Sequence, residues 1–363
     1  MRNLVAKFQP LLLIVISIAF AVGLVELTYR AMYGERVNTN SGKSNRYMLF
    51  GSATGSSVFQ NLDTIFTYQP NSIISAQAFY DVNNNLSKEY HYQFKANNLG
   101  LVQSQDIDLT KDSLLLLGDS FVEGQGASPW FEYLVQNNQN QLQLVNGGLL
   151  GTGFEQWGLL HDYLIKTGVK VKKVAVIFIS DDYRRTVWNF PAKVTDCLIR
   201  IENCLGDEGY FPLPPDRELM PTLQKLKDFR IKEYAIKDAR QAKKWIRRYL
   251  SSVHHTWEFT KEYFHIHFRS KSPKVIKQLT ETYGENIIFI HLPTKHEIVA
   301  GNMPDNLGLV ARKGILQQRG KLYDGFAQCG LTTADFHQND PHPNELGYTK
   351  IEQCVRLALV ALQ

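Results

Sequence analysis

One serine and one aspartate–histidine pair in this sequence have the types and spacing that acyl-transfer chemistry needs. Ser120 ends the segment SLLLLGDS, whose apolar run is typical of a buried strand. Asp340 and His342 stand two residues apart in DPHPNELGY, which leads into a helical pattern. Nucleophilic acyl transfer uses a hydroxyl, a base with a pKa near neutral, and a carboxylate that orients the base. We therefore predict Ser120 as the nucleophile, His342 as the base and Asp340 as its orienting partner.

Four short apolar runs predict the strands that position these residues. They are SLLLL at 113–117, LQLV at 142–145, VAVIFI at 174–179 and NIIFI at 286–290. Amphipathic stretches typical of helices lie between them, at Trp130–Asn137 and Phe154–Thr167. Apolar strands that alternate with helices indicate a parallel sheet covered on both faces, which is a three-layer α/β/α domain of flavodoxin-like kind. Ligands of such folds bind beyond the carboxyl ends of the strands, where Ser120 stands.

The pattern along the chain predicts three parts. Residues 1–30 are an N-terminal signal anchor, 31–110 an extended leader with accessory strands such as EYHYQF at 89–94, and 111–363 the α/β domain. A basic helical insertion at about 190–273 interrupts that domain. Its middle, Leu223–Leu250, holds ten Lys and Arg against three Asp and Glu. This basic face is either solvated or meets anionic lipid headgroups or an acidic glycan.

The first thirty residues indicate the compartment. Residues 11–27 form a nearly unbroken apolar run that follows Arg2 and Lys7, as in a signal anchor or a signal peptide. The small residues around Phe20 resemble a cleavage site, but the run continues past Ala21, which favours an uncleaved anchor. The charges favour a cytoplasmic N-terminus. The remainder of the chain is then expected outside the cytoplasmic membrane of a bacterium, on its periplasmic side.

The composition excludes several classes of protein. With 363 residues, a net charge of +5, 44% hydrophobic and 21% charged residues, the chain is neither disordered, collagen-like nor a multi-pass membrane protein. The four cysteines have no zinc-site spacing, so we expect no metal. In an oxidising space Cys197 can pair with Cys204 and Cys329 with Cys354; the alternative is four buried thiols. Nucleic acid is not expected as a partner there.

Three blocks of the sequence resemble the SGNH (GDSL-type) serine hydrolases. They are GDS at 118–120, the N-x-G-x-x-G pattern at Asn146, Gly148 and Gly151, and D-x-H-P-N at 340–344. The N-terminal apolar segment, the stretch NNLGL at 97–101 and the following GDSF further resemble membrane-anchored bacterial members, distantly similar to exopolysaccharide acetylation proteins. The resemblance implies a serine esterase that needs no cofactor.

The resemblance also implies an oxyanion site, and here the chain departs from the pattern. The donors implied are the backbone N–H groups of Ser120 and Gly151 and a side-chain amide after the third strand. Asp181 stands where that asparagine is expected. An ionised carboxylate repels a developing oxyanion, whereas an amide donates to it. Three readings stay open: Asp181 is protonated and donates, Ser180 or Arg184 supplies the donor, or the activity is lost.

By resemblance, we expect an ester hydrolase that acts on O-acyl groups, most simply O-acetyl groups, of a cell-surface glycan or a similar ester. One alternative is an O-acyltransferase to a polysaccharide. Another is a non-catalytic, membrane-tethered protein that binds glycan or assists assembly. The expected partners are the inner membrane through residues 11–27, a small ester or glycan substrate and cell-envelope polysaccharide machinery.

Overall fold

The computed structural model of the protein contains two compact units. One comprises Met1–Lys43 with Asp228–Phe268, and the other comprises Ser44–Lys227 with Arg269–Gln363. The residues that the structure describes are 14, 17, 20–29, 46–53, 57–127, 130–137, 142–189, 210–239 and 250–362. Cys197 and Cys204, much of the apolar run 11–27 and parts of the predicted insertion lie outside the described residues.

The described part of the larger unit contains a five-stranded sheet, a four-stranded sheet, the two-stranded antiparallel pair of Phe59–Asn61 and Phe66–Tyr68, and the helices around them. Its strands are β1 (Arg46–Ser52), β2 (Phe59–Asn61), β3 (Phe66–Tyr68), β4 (Ile73–Val82), β5 (Asn85–Lys95), β6 (Asp112–Gly118), β7 (Gln143–Gly148), β8 (Lys170–Phe178), β9 (Tyr210–Pro212), β10 (Ile287–His291) and β11 (Lys321–Asp324). Apart from a helical stretch at 20–29, the α-helices among the described residues are α1 (Ser120–Glu123), α2 (Trp130–Gln136), α3 (Phe154–Lys166), α4 (Asp216–Ala239), α5 (Ser251–Phe264), α6 (Ser272–Tyr283), α7 (Lys295–Val299), α8 (Asn306–Gln317), α9 (Gly325–Gln328) and α10 (Glu345–Val360).

Five parallel strands form the main sheet, in the order β11–β10–β8–β6–β7. In chain order this is 2-1-3-4-5 counted from β7, the arrangement of flavodoxin-like folds. The predicted α/β class is therefore confirmed, and each of the four apolar runs overlaps one of these strands. The strand order reverses between β6 and β8, which opens a crevice at their carboxyl ends, the usual ligand position of such sheets.

Helices cover both faces of the main sheet because its strands are apolar on both sides. Leu114 and Leu116 of β6 belong to a buried cluster with residues of α2 and α10. Side chains alternate along a strand, so Leu115 and Leu117 face the opposite side. On that side α3 contacts β6, and α6 contacts β8 and β10. Ser120 thus begins a helix at the end of a strand that is fixed from two directions.

A second sheet has the order β5–β4–β1–β9; three of its strands precede the main sheet in sequence, and β9 lies between β8 and β10. β4 pairs antiparallel with both β5 and β1, while β9 is parallel to β1. The aromatic ribbon predicted at 89–94 is part of β5, and its residues Tyr90, Tyr92 and Phe94 are buried. We call these four strands the accessory sheet. It belongs to the same compact unit as the main sheet.

The smaller unit contains a helical stretch at 20–29 and helix α5. Glu26, the single charge of the apolar run, is buried there, and its Oε2 accepts a hydrogen bond of 2.8 Å from the backbone N–H of Ser252. Among the described residues, no helix combines the length and the apolar character that crossing a membrane requires.

Candidate active site

Ser120 is held at the end of β6 by a tight strand-to-helix turn. Asp119 caps helix α1, and its side chain accepts a hydrogen bond of 2.9 Å from the N–H of Phe121. Gly118 has no space for a side chain, because a Cβ there would lie 2.1 Å from Cγ2 of Val122. The close approach of the helix to the strand therefore requires glycine at this position. This close approach determines the position of Ser120 relative to the sheet.

His342 lies against Ser120, although 222 residues separate them in sequence. Nε2 of His342 is 2.8 Å from the Ser120 hydroxyl, and Nδ1 is hydrogen-bonded to Oδ1 of Asp340. The same Oδ1 accepts a bond of 2.9 Å from the backbone N–H of His342. Because the Nδ1–H group of His342 donates to Asp340, Nε2 carries no proton and can accept the proton of the serine. The structure thus brings the three predicted catalytic residues together in the order nucleophile, base, orienting acid.

The second carboxylate oxygen of Asp340 is bound by the accessory sheet. Oδ2 accepts hydrogen bonds from the hydroxyl of Tyr80, at 2.5 Å, and of Tyr90, at 3.1 Å. Arg46 Nη1 lies 3.6 Å from the same oxygen. These residues belong to β4, β5 and β1, and no motif in the sequence marks them as part of a site. The leader therefore contributes directly to the geometry of the candidate site.

These partners keep Asp340 ionised. Burial alone would raise the pKa of Asp340, but the neighbouring His342, the positive charge of Arg46 and the Tyr80 hydroxyl outweigh it and lower that pKa well below its usual value. Burial, with the charge of Asp340 added, raises the pKa of Tyr80 and of Tyr90, so both phenols remain proton donors. The carboxylate can therefore stabilise the positive charge that His342 acquires when it takes the serine proton.

Among the described residues, the two backbone donors predicted for the oxyanion site form no hydrogen bond to the protein. Within the described part of the chain, the N–H groups of Ser120 and Gly151 donate to no other residue. Gly151 has a φ of +70°, a backbone conformation that glycine adopts without strain. The loop is fixed on its other side, since Asn146 Nδ2 donates to Val102 O at 2.7 Å and Asn146 Oδ1 accepts from Gly148 N at 2.9 Å.

Glu123 is a buried acid that links this loop to strand β3. Its Oε2 accepts a 2.7 Å bond from the N–H of Leu150, and its Oε1 accepts a 2.9 Å bond from the Tyr68 hydroxyl. Burial raises the pKa of Glu123 to about 8, although both hydrogen bonds act in the opposite direction. The residue before Gly151 is thus positioned by a side chain of helix α1, which also carries Ser120.

Of the three open readings of Asp181, the surroundings of its side chain do not agree with the one in which it is protonated and donates. Its carboxylate is paired with Arg184 Nε at 2.5 Å and Arg185 Nε at 3.2 Å. Burial raises the pKa of Asp181, but the two arginines outweigh this effect and lower it. The carboxylate is therefore ionised and can only accept hydrogen bonds, so it cannot take the place of an amide.

Ser180 is also excluded as the missing donor, because it belongs to a separate buried cluster. Its hydroxyl donates to Glu297 Oε1 at 2.5 Å and lies 3.1 Å from Nε2 of His291. Nδ1 of His291 accepts from Arg312 Nε at 2.7 Å, so that Nε2 carries the ring proton. Burial and Arg312 lower the pKa of His291 to about 3. This second serine–histidine pair has no base facing its serine and does not form a nucleophile.

Arg185, and not the predicted Arg184, contacts the aspartate that precedes the nucleophile. Its Nη1 is 3.0 Å from Asp119 Oδ2 and 2.6 Å from Asp182 Oδ1. The run of two aspartates and two arginines after β8 was visible in the sequence. The 3-10 turn at Ser180–Tyr183 determines which of the two arginines faces the site. Apolar patterns in a sequence do not predict such a turn.

A disulfide links Cys329 to Cys354, as the sequence analysis expected for this pair. Cys329 follows helix α9, and Cys354 lies within α10. Both sulfur-bearing residues are buried in the cluster between the sheet and α10. The bond therefore fastens the helix that follows Asp340 and His342 to the segment that precedes them.

The fold is similar to several solved structures. A member of the lipolytic protein G-D-S-L family from Veillonella parvula is 14% identical, with 69% of this chain and 98% of that chain covered and a TM-score of 0.32. A GDSL-like lipase from Bacteroides thetaiotaomicron is 9% identical, with 72% and 93% covered and a TM-score of 0.31. A protein from Lactobacillus plantarum is 12% identical, with 69% and 97% covered and a TM-score of 0.34.

No protein-family model matches the sequence, and a search of curated proteins found no match. The chemical roles of the site residues are therefore inferred from the geometry of this chain alone. In the order of its three sequence blocks, in its strand order and in the arrangement of Ser120, His342 and Asp340, the chain resembles the SGNH (GDSL-type) serine hydrolases.

Proposed function

We propose that the protein is a serine ester hydrolase of the SGNH type. The observation that carries this proposal is the 2.8 Å contact between the Ser120 hydroxyl and Nε2 of His342, whose other nitrogen is bound to the ionised Asp340. Two unoccupied backbone N–H groups, of Ser120 and Gly151, complete the set of groups that acyl transfer requires.

The mechanism follows from these roles. His342 Nε2 takes the hydroxyl proton as Ser120 Oγ bonds to the acyl carbon, and the carbonyl electron pair moves to its oxygen, which the backbone N–H groups stabilise. When the carbonyl re-forms, the bond to the alcohol breaks and His342 returns the proton to the leaving oxygen. Water, deprotonated by His342, then attacks the acyl-serine; the bond between Ser120 Oγ and the acyl carbon breaks, His342 returns the proton to Oγ, and the acid is released. Asp340 holds the imidazole in one tautomer throughout.

The substrate class and the location are part of the same proposal. By resemblance, the acyl group is small, such as acetyl, and the ester belongs to a cell-surface glycan. A location outside the cytoplasmic membrane is supported by the apolar run 11–27 and by the disulfide Cys329–Cys354, since disulfides persist in oxidising compartments. Fractionation of membranes, followed by extraction at alkaline pH, tests whether the full chain is an integral membrane protein.

A fluorophosphonate probe tests the proposed nucleophile. We expect the probe to label the wild-type protein, peptide mapping to place the adduct on Ser120, and Ser120→Ala to lose both labelling and hydrolysis of a nitrophenyl acetate. Longer acyl chains in the same assay define the acyl preference. An adduct at another serine, or an active Ser120→Ala protein, contradicts the assignment.

Ser180 provides a matched control, because it also contacts a histidine but lacks a base. Ser180→Ala should retain labelling at Ser120. Addition of a sugar acceptor distinguishes hydrolysis from O-acyl transfer, since a transferase would form acylated sugar in place of free acid. A folded wild-type protein that neither reacts with the probe nor turns over any ester would favour the non-catalytic alternative.

A further inference from the structure

The oxyanion site has two backbone donors, and the position expected for a third is occupied by a carboxylate. Asp181 is ionised and paired with Arg184 and Arg185, so it offers no hydrogen to a developing oxyanion. The loss of one such donor typically lowers the rate by about 100- to 1000-fold. The chain therefore either lacks this contribution or obtains it from another residue close to Ser120.

Arg185 is fixed between the two segments that carry the backbone donors. Its Nη1 donates to the carbonyl oxygen of Thr152, at 2.9 Å, next to Gly151. The same nitrogen donates to Asp119 Oδ2 at 3.0 Å, and this oxygen lies 3.4 Å from the Ser120 hydroxyl. The guanidinium is thus anchored to both sides of the expected oxyanion position.

The anchoring leaves part of the guanidinium available. Nε donates to Asp181, and Nη1 donates to Asp119 and Thr152 and forms an ion pair with Asp182. Among the described residues, Nη2 has no hydrogen-bond partner. The Arg185 side chain is 23% exposed to solvent, whereas the side chains of Asp119 and Asp182 are 1% and 0% exposed.

The local sequence also makes space for this arginine. Gly153 lies so close to it that a Cβ at that position would be 2.8 Å from Cβ of Arg185 and 2.4 Å from the carbonyl oxygen of Asp182. Any larger residue at position 153 would displace the arginine or the turn that carries it. The glycine-rich loop thus accommodates Arg185 as well as the exposed backbone of Gly151.

We propose that Arg185 donates from Nη2 to the oxyanion and so replaces the side-chain amide that position 181 lacks. This inference rests on the proposed ester hydrolysis. As Ser120 Oγ bonds to the acyl carbon and its proton passes to His342, the carbonyl electron pair becomes the oxyanion, which accepts hydrogen bonds from Ser120 N, Gly151 N and Arg185 Nη2. The three donors release it when the carbonyl re-forms and the leaving alcohol takes the proton from His342.

Two adjacent arginines allow a matched experiment. Arg185→Ala should lower kcat by about 100- to 1000-fold with a much smaller change in KM, because the bond forms in the transition state. Arg185→Lys keeps the charge but cannot reproduce the planar set of donors, so kcat should fall by at least about tenfold. Arg184→Lys, the same substitution at the neighbouring position, should leave kcat within about twofold of wild type.

A boronic acid that adds to Ser120 distinguishes this role from support of the fold. Its tetrahedral adduct mimics the oxyanion, so its affinity for Arg185→Ala should fall by the same factor as kcat/KM. Added guanidinium ion at millimolar concentration should restore part of the activity of Arg185→Ala. Circular dichroism and thermal melting establish that each variant is folded; if Arg185→Ala is not, the folded Arg185→Lys protein provides the same comparison.

Unchanged kcat in Arg185→Ala, or a loss confined to KM with unchanged boronate affinity, would overturn the role of Arg185. In that case the wild-type enzyme would still label at Ser120 and hydrolyse esters, so only this inference would fail. A wild-type protein without labelling or turnover would instead remove the proposed function on which it rests.

Discussion

The hydroxyl of Tyr80 lies 2.5 Å from Oδ2 of Asp340, although 260 residues separate the two in sequence. The other oxygen of the same carboxylate binds His342. Asp340 is therefore held from both sides, by the residue it orients and by a strand of the accessory sheet. A carboxylate fixed in this way cannot rotate away from the imidazole without breaking a bond to a charged acceptor, which is stronger than a neutral hydrogen bond.

Removal of the Tyr80 hydroxyl should lower activity without abolishing it. Tyr80→Phe keeps the ring in the buried sheet but deletes one of the donors to Asp340. We expect kcat to fall by about tenfold, equivalent to about 1.4 kcal/mol, because Tyr90 and Arg46 still hold the carboxylate. Steady-state kinetics on a small acetyl ester measure the effect.

Tyr133→Phe is the matched control for this experiment. Tyr133 is an exposed tyrosine of helix α2, and its loss of a hydroxyl should leave kcat unchanged. Equal kinetics of Tyr80→Phe and wild type would show that the accessory sheet does not position Asp340.

Asp340→Asn should cause a much larger loss. The amide can donate a hydrogen to Nδ1 of His342 and so favour the tautomer that carries its proton on Nε2, which is the wrong form for a base facing Ser120. A reduction of kcat by about 10³- to 10⁴-fold is expected, with KM little changed. Retention of more than a tenth of the activity would show that the carboxylate is dispensable.

Asp181→Asn should leave the activity unchanged or raise it. The substitution removes a negative charge from the surroundings of Arg185 and adds an amide at the position where the SGNH pattern has one. Kinetics of this variant and of wild type on the same acetyl ester provide the test. A fall of tenfold or more would mean that the ion pair between Asp181 and Arg185 is needed to place the guanidinium. Activity that appears only in the variant would identify the wild type as a disabled hydrolase.

Glu123 should make the stability of the protein depend on pH. Its pKa is about 8 in the folded state and near 4.5 for an unperturbed glutamate, so between these values the folded chain holds a proton that the unfolded chain releases. The contribution to stability is complete below about pH 4.5 and falls as the pH rises towards 8, by up to about 1.4 kcal/mol per pH unit. Thermal unfolding of Glu123→Gln should be less dependent on pH over this interval than that of wild type. Parallel curves for the two proteins would contradict the assignment.

The disulfide Cys329–Cys354 should stabilise the region of the catalytic loop. It closes a loop between residues 25 apart, for which chain-entropy estimates give about 2–4 kcal/mol. Cys329→Ser with Cys354→Ser should lower the melting temperature and weaken activity at elevated temperature, and reduction of the wild type should have the same effect. Mass spectrometry without reductant checks the bond directly; four free thiols in protein from an oxidising compartment would refute both the pairing and the proposed location.

The sequence alone predicted the strands that carry the site because those strands are buried on both faces. β6 and the second half of β8 contain continuous apolar runs, and Gly118 and Ser120 mark the end of β6. The edge strand β11 was missed, since KLYD is short, half-buried and has no clear alternation. Apolar patterns identify strands by burial, so a strand that is half exposed leaves little signal.

The contacts of Asp340 with the accessory sheet were beyond sequence reasoning for a different reason. The alternation in EYHYQF indicated a half-buried strand at Tyr90. A periodic pattern does not show which residue a buried hydroxyl binds. That depends on how two sheets pack, which is determined by contacts between distant segments. The choice between Arg184 and Arg185 failed similarly, because it depends on the register of a single short turn.

The dependence of Asp340 on Tyr80, Tyr90 and Arg46 has a consequence for how activity arises during folding. The complete site needs residues from the first strand of the accessory sheet to the loop before α10, so its contacts are among the most non-local in the chain and should form late. A folding intermediate that already has the main sheet would hold Ser120 without its base. A fragment that starts at residue 111 would contain all three catalytic residues, yet it should be a slow enzyme with a mobile aspartate. The leader is therefore best regarded as an inseparable part of the catalytic domain, and attempts to transplant the site should begin at Arg46.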